Sequence, residues 1–211
     1  TNGNPFFIHE FLKKLHEVGI VEFKLDWTWD VSNIRKAGIT DNVVELMTGK
    51  LQRLADDTLS VLKVAACVGV EFSLPLIARV SGKSENNILS GLDQAIGEGI
   101  LVKTGERGKF SHDKVQEAIY LLMDEQERRQ LHLKIGRRKL EEKEQGNEIL
   151  IFDIANHLNK AGDLLKNEEK TRLAGINLET GQKAKAAVAY DLAYRFFRQG
   201  MECLPRPVDA A

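Results

Sequence analysis

The chain has 211 residues, of which 43% are hydrophobic, and a formal net charge of −1. Charges of both signs are interspersed, so no segment is typical of a basic nucleic-acid-binding arm or of an acidic tail. No apolar run approaches the roughly 18 residues of a membrane span, and no signal peptide opens the chain. We therefore expect a cytoplasmic protein without a membrane span. The start on Thr1, directly before a helical pattern, suggests a segment cut from something larger.

The first part of the chain predicts a helix and a short β-hairpin. Apolar residues recur at helical spacing from Pro5 to Val18, with Asn4 suited to the N-cap and Gly19 to the helix end. Residues 20–29 alternate as a hairpin does, with a turn near Asp26.

A further helix is expected from Thr40, which can cap it. Its apolar positions are Val43, Val44, Leu46, Met47, Leu51 and Leu54. We assign residues 1–54 to one helical domain that includes the short hairpin.

The next part, residues 55–124, has the element order of a winged helix. A buried helix is followed by two shorter helices, a β-hairpin and a closing helix. The predicted helices are 58–68, 74–80, 84–99 and 115–123, and the predicted strands are 100–102 and 109–111.

The remaining residues, 125–211, are helical throughout. The predicted helices are 125–144, 149–160, 168–187 and 189–203, and Pro205 and Pro207 make the tail a linker or stop. The fold class expected for the whole chain is mainly α: a helical domain, a winged helix with a small hairpin, and a helical-repeat bundle. Cys67 and Cys203 lie in apolar helical patterns, so we expect two core thiols and no disulfide.

No catalytic centre is complete in this sequence. It lacks the phosphate-binding pattern G-x-x-x-x-G-K-[ST], the zinc patterns C-x-x-C and H-E-x-x-H, and the serine nucleophile pattern G-x-S-x-G. We therefore predict no catalytic residues and no metal site. Four helix histidines are expected to be partly exposed surface residues: His9, His16, His132 and His157.

A winged helix can bind DNA by placing its second helix-turn-helix helix in the major groove. Residues 84–98, which would form that helix, contain three acidic residues and no Lys or Arg. Neutralisation of phosphates supplies most of the non-specific affinity for DNA. The charge pattern therefore disfavours a nucleic-acid partner, although the wing carries Lys103, Arg107 and Lys109.

Three segments together resemble STAND ATPases, the signal-transduction branch of the AAA-like NTPases. Thr1–Leu12, with its Gly3-Asn4-Pro5 motif, is similar to the lid of these proteins. Residues 51–72 resemble the opening of the following winged helix, and Phe110–Tyr120 resembles the His-Asp element after the wing. Residues 131–137 and 154–159 are similar to the helical region of large bacterial kinases that combine Ser/Thr kinase, ATPase and histidine-kinase domains.

The resemblance implies nucleotide-contacting roles for two residues. Pro5 would pack against the adenine ring, and His112 would contact the β-phosphate of ADP and hold the closed state. ADP or ATP would bind only together with an ATPase core upstream of this segment. A second role for the His112 region remains open, because Asp113 can act as an N-cap with Gln116 in capping-box position.

The last helices resemble one tetratricopeptide repeat, which cannot bury its own face alone. The matching positions are Gly181, Ala184, Ala193, Phe197, Gly200 and Pro205. The resemblance as a whole implies a regulatory segment that couples nucleotide state to protein contacts. Its expected partners are its own ATPase core and neighbouring kinase domains, and self-association is a further option. The alternatives are a DNA-binding winged-helix regulator with a helical effector domain and a helical-repeat scaffold that binds peptides.

Overall fold

The structure is a computed structural model that describes residues 5–36 and 49–204, without the side chains of residues 5–7 and 85. Gly3, Asn4, the helix start predicted at Thr40, and the prolines of the tail lie outside this range. Contacts divide the chain into two compact units. The first comprises Thr1–Leu74 and Ser84–Leu122, and the second comprises Pro75–Lys83 and Met123–Ala211. The mainly α fold class is confirmed.

The first unit begins with a helix and a two-stranded antiparallel hairpin, as predicted. Its elements are α1 (Pro5–Glu17), β1 (Val21–Phe23), β2 (Trp27–Trp29) and α2 (Val31–Lys36). After α1, Gly19 takes a φ of +71°, which an L side chain rarely adopts. Val21 pairs with Trp29, and α1 packs against β1 through the buried Leu15.

The rest of the first unit surrounds one buried helix. Its elements are α3 (Asp56–Val68), β3 (Glu71–Ser73), α5 (Glu85–Gly97), β4 (Leu101–Thr104), β5 (Arg107–Phe110) and α6 (Asp113–Leu122). The apolar face of α3 packs against α5 and α6, and Thr58 Oγ1 donates to Gln94 Oε1 at 2.6 Å. Ser84 caps α5 as predicted, accepting the Asn87 N–H.

The sheet of this unit has three antiparallel strands in the order β3-β5-β4. The sequence predicted only β4 and β5. β3 was missed, since three residues with the single apolar side chain Phe72 are too short for an alternating pattern. Phe72 and Phe110 pack with their ring centroids 5.6 Å apart, which fixes β3 on β5.

The second unit is built from helices. They are most of α4 (Leu74–Ser81), α7 (Glu125–Glu144), α8 (Ile151–Ala161), a 3-10 turn (Gly162–Leu164), α9 (Asn167–Ala186) and α10 (Tyr190–Glu202). Residues 75–83, which we had placed within domain 55–124, share their contacts with this unit. Its core contains Ile154, Leu158, Ala161, Leu165 and Leu173.

Glycines allow the helices of the second unit to approach closely. A Cβ at Gly181 of α9 would overlap the Phe197 ring of α10, and one at Gly136 of α7 would overlap Leu158 of α8. Partly buried amide hydrogen bonds of 2.8–2.9 Å join α8, α9 and α10 through Asn159, Asn177 and Gln199. Gly181, where α9 and α10 approach closely, is one of the positions that match a tetratricopeptide repeat.

Candidate functional site

His112, the predicted phosphate-contacting residue, lies directly before α6 in the first unit. Its side chain is 33% exposed. Its carbonyl accepts the Val115 N–H at 3.1 Å, and its Nδ1 lies 3.2 Å from the Lys114 N–H. His112 therefore occupies the N-cap position, where the first amides of the helix and the helix dipole favour an electron-rich partner.

The neighbouring carboxylate competes for the same imidazole nitrogen. Asp113 Oδ1 lies within ion-pair distance of His112 Nδ1 and accepts the Lys114 N–H at 2.7 Å. When Nδ1 accepts from the Lys114 amide, its lone pair is used. When Nδ1 carries a proton, it can donate to Asp113 instead. The tautomer of the His112 ring, which decides whether Nδ1 carries a proton, thus selects between capping the helix and donating to the Asp113 carboxylate.

The predicted capping box is wrong. The α6 helix begins at Asp113, so this residue occupies the first helical position rather than the N-cap. The Gln116 side chain does not return to the helix start, because its Nε2 donates to the Ala66 carbonyl of α3 at 2.6 Å. Gln116 ties α6 to α3 and leaves His112 as the residue at the cap.

Pro5, the other predicted site residue, is the first residue of α1, as the helix-start pattern indicated. α1 packs against β1, whereas α6 packs against α3 and β5. The two predicted site residues thus belong to separate parts of the first unit.

The charges around the wing do not form an open cationic surface. Lys109 of β5 pairs with Glu71 of β3 at 2.9 Å, and this hydrogen bond lowers the pKa of the Glu71 carboxyl. Helix α5 carries Asp93 and no Lys or Arg. Lys103 and Arg107 are the other two cations of the wing.

The second unit contains a buried histidine pair. His132 of α7 and His157 of α8 are 1% and 7% exposed, and their Nδ1 atoms lie 2.9 Å apart. One imidazole therefore donates to the other, which requires at least one neutral ring. The expectation that these two histidines are partly exposed was wrong, whereas His9 and His16 are exposed as predicted.

Burial keeps both of these imidazoles neutral. Desolvation, aided by Lys160 and Arg128, lowers the pKa of His132 to about 4. Desolvation, aided by Lys139 and the partner imidazole, lowers the pKa of His157 to about 3. The pair has the properties of a structural contact between α7 and α8 rather than of a general base, whose pKa lies near the working pH.

Other reactive groups of the described residues are dispersed. Cys67 is buried and Cys203 half-buried, and neither forms a disulfide, as predicted. In residues 5–36 and 49–204, no three His, Cys, Asp or Glu side chains lie close enough to hold a metal ion. Within the same residues, no helix has the length and apolar character to cross a membrane.

Comparisons relate the chain to signalling kinases. The chain is 27% identical to part of the hybrid signal transduction histidine kinase G of Dictyostelium discoideum, over 97% of this chain. It is 26% identical to part of the peroxide stress-activated histidine kinase mak3 of Schizosaccharomyces pombe, over 81% of this chain. The chain spans only 8% of the length of each relative. No family model and no solved structure matches it.

The relatives support the signalling-kinase part of the sequence resemblance. The sequence resemblance pointed to bacterial multi-domain kinases, whereas both of these relatives are eukaryotic proteins. These relatives therefore support a signalling-kinase context but not a bacterial one, and the 97% match includes residues of both units.

Proposed function

We propose that this chain is a regulatory segment of a larger STAND-type signalling kinase, in which it couples nucleotide state to protein contacts. The observation that carries the proposal is the match of 97% of the chain to 8% of a hybrid signal transduction histidine kinase. A match of this extent is expected of one regulatory segment within a long kinase. The kinase activity itself would belong to other parts of such a protein.

The order of elements along residues 56–110 supports the winged-helix part of this proposal. The series α3, β3, α4, α5, β4, β5 places a strand after the first helix and a hairpin after the third. The three strands form one antiparallel sheet with β5 in the centre. His112 follows β5 after a single residue, so the sheet lies next to the start of α6, where the resemblance implies a phosphate contact.

The nucleotide role proposed for His112 has a simple chemical basis. A protonated imidazole at a helix N-terminus can donate to a phosphate oxygen, and the helix dipole favours the anion. ADP would displace Asp113 as the acceptor near Nδ1. Pro5 would place its ring on the adenine at the start of α1. ADP or ATP would be held together with an ATPase core, which supplies the phosphate loop and magnesium ligands.

The sequence upstream of Thr1 gives the first test. The proposal requires a G-x-x-x-x-G-K-[ST] phosphate loop roughly one domain length, about 100–200 residues, before Thr1. A natural protein that lacks any such loop upstream would overturn the STAND assignment.

The second test separates sensing from capping at His112. ADP affinity is measured on the natural full-length protein for wild type, His112→Ala and His112→Asn. Asparagine is a good N-cap but has no imidazole, so both variants should weaken ADP binding by about tenfold or more if His112 contacts the phosphate. Normal affinity in His112→Asn would show that only the cap matters, and normal affinity in both would end the sensing role.

A peptide-binding scaffold is the second candidate, favoured by one surface of the second unit. Tyr190, Tyr194 and Met201 lie on the same face of α10 and are each more than half exposed. This face is suited to a further helical repeat or to a peptide. Replacement of Tyr194 by Ser should then lower the capture of partner proteins by the full-length protein, while leaving its ADP affinity unchanged.

A further inference from the structure

An apolar groove lies between α1 and the β-hairpin of the first unit. It has a volume of about 770 Å³, and its described walls include Leu12, His16, Val21, Trp27, Trp29 and Ile34. Leu12, Trp27 and Trp29 are each at least half exposed, so the groove is an open surface rather than an enclosed cavity. Exposed apolar surface of this kind is typical of interaction sites.

A cationic cleft lies on the adjoining face of α1. It has a volume of about 140 Å³ and is lined by Lys13, Lys14, Lys50, Arg53, Glu10 and Glu17. The two carboxylates are already neutralised, because Glu10 pairs with Lys50 and Glu17 lies 3.4 Å from Lys14. Arg53 lies 3.4 Å from Glu98, outside the cleft lining. The cleft therefore keeps an excess of positive charge.

Lys13 joins the two surfaces, since it lines both the groove and the cleft. It is exposed and has no ion-pair partner among the residues that the structure describes. No carboxylate belongs to the described walls of the groove, whose other titratable residues are His9 and His16. An occupant that fits both surfaces must combine an apolar face with carboxylates along one flank.

We propose that this joint surface of α1 and the hairpin docks an acidic amphipathic helix of another domain or protein. An apolar face with anchors at positions i, i+3 or i+4, and i+7 fits a groove that runs beside a helix. Glutamate or aspartate on its flank pairs with Lys13 and the cleft. This docking involves neither nucleotide nor His112, so it is independent of the proposed function.

Two other occupants fit less well. An anionic membrane covers a wider area than the groove and cleft, so it would also meet Glu22, Asp26 and Asp30 on the hairpin, where Lys24 is the one cation. A second copy using the same face would bring together two surfaces with the same excess of positive charge. Both occupants are outcomes that the experiment distinguishes.

The two tryptophans of the chain, Trp27 and Trp29, both lie in the groove, so their fluorescence reports on it alone. The full chain is titrated with two model helices of about four turns that share one leucine face. One peptide carries Glu along its flank and the other carries Lys. The Glu peptide should shift the emission to shorter wavelength with saturation, and should bind at least about tenfold more tightly than the Lys peptide.

Substitutions test whether the peptide binds to the joint surface of α1 and the hairpin. Lys13→Glu should weaken binding of the Glu peptide by about tenfold. Lys103 is an exposed lysine of β4, so the control Lys103→Glu should change the affinity by less than about twofold. Leu12→Asp should weaken binding of both peptides. Val102→Asp is the matched control, because Val102 is a similarly exposed apolar residue on β4. Circular dichroism verifies that each variant is folded.

Three results would overturn the proposal. The first is equal affinity for the two peptides, or equal effects of Lys13→Glu and Lys103→Glu. The second is a fluorescence shift with phosphatidylserine-containing vesicles but none with peptides, which would identify a membrane surface. The third is a peptide-independent shift that follows protein concentration in sedimentation experiments, which would identify self-association.

Discussion

The histidines of the two units stand in opposite environments. His112 of the first unit is one-third exposed, lies at a helix start and has a carboxylate beside it. His132 and His157 of the second unit are buried against each other. An exposed imidazole at a helix N-terminus can gain an anion, whereas a buried neutral pair can only lose its contact on protonation. His112 therefore has surroundings in which an imidazole can bind an anion, whereas His132 and His157 form a structural contact.

The largest effect of this difference between the histidines should be on the pH dependence of the free energy of unfolding. Unfolded histidines have a pKa near 6.5, whereas those of folded His132 and His157 lie near 4 and 3. Below pH 6.5 the unfolded chain binds protons that the folded chain cannot, so the stability present above pH 6.5 is lost as the pH falls towards 4. The free energy of unfolding should fall by about 3–4 kcal/mol between pH 7 and pH 5.

Urea denaturation followed by circular dichroism at both pH values measures this loss. Between pH 7 and pH 5, the free energy of unfolding of the double variant His132→Asn/His157→Asn should fall clearly less than that of wild type. His9→Asn removes an exposed histidine of the first unit, and the free energy of unfolding of this variant should fall as much as that of wild type. Equal losses in wild type and the double variant would contradict a buried neutral pair.

The close contact between α9 and α10 gives the next largest effect. Gly181→Ala should destabilise the protein by about 1–3 kcal/mol, because its Cβ would overlap the Phe197 ring. Gly175→Ala in the same helix has open space around the Cβ and should stabilise by about 0.5–1 kcal/mol. The midpoint temperature of thermal unfolding should therefore fall in Gly181→Ala and rise in Gly175→Ala. Shifts in the same direction would exclude close packing at Gly181.

The turn between α9 and α10 holds a strained residue. Val188 has a φ of +61° although it is β-branched, and it is 68% exposed. Val188→Gly should therefore stabilise the protein by about 1 kcal/mol, since glycine adopts this conformation without a steric penalty. Val102→Gly, at an exposed valine of β4 with ordinary backbone geometry, should destabilise instead. Destabilisation by both changes would argue against strain at Val188.

The helix caps of the two units give the smallest contrast. Asp124 accepts the Glu127 N–H at 2.7 Å at the start of α7, whereas Ser84 accepts the Asn87 N–H at 3.4 Å at the start of α5. Asp124→Ala should cost about 1 kcal/mol and Ser84→Ala about half of that. Chemical denaturation measures the free energy of unfolding of both variants. A larger decrease in Ser84→Ala than in Asp124→Ala would contradict the ranking by hydrogen-bond length.

Long periodic elements were predictable from the sequence, and contacts between elements were not. The periodicity of α1 and the charged length of α7 gave their positions to within one residue. β3 was missed because its pairing with β5, not its own pattern, makes it a strand. The grouping of residues 75–83 with the second unit also depends on tertiary contacts, to which hydrophobic periodicity is blind.

The candidate site was predictable in part. His112 could be placed at a helix start, but the role of Gln116 could not, since its acceptor lies 50 residues away on α3. The sequence contains a weak signal for the buried histidine pair. His132 lies three residues before the buried Ile135, and His157 lies three residues after the buried Ile154, so each shares a helix stripe with a core residue.

Hydrogen exchange on the natural full-length protein tests the nucleotide-sensing role most directly. It compares the amides at the start of α6, Lys114 to Gln116, with and without ADP. The sensing role predicts that ADP slows exchange at these amides in wild type and not in His112→Asn, while the amides of α8 around His157 change little in both. Identical exchange at the α6 start with and without ADP, in a protein shown to bind ADP, would contradict it.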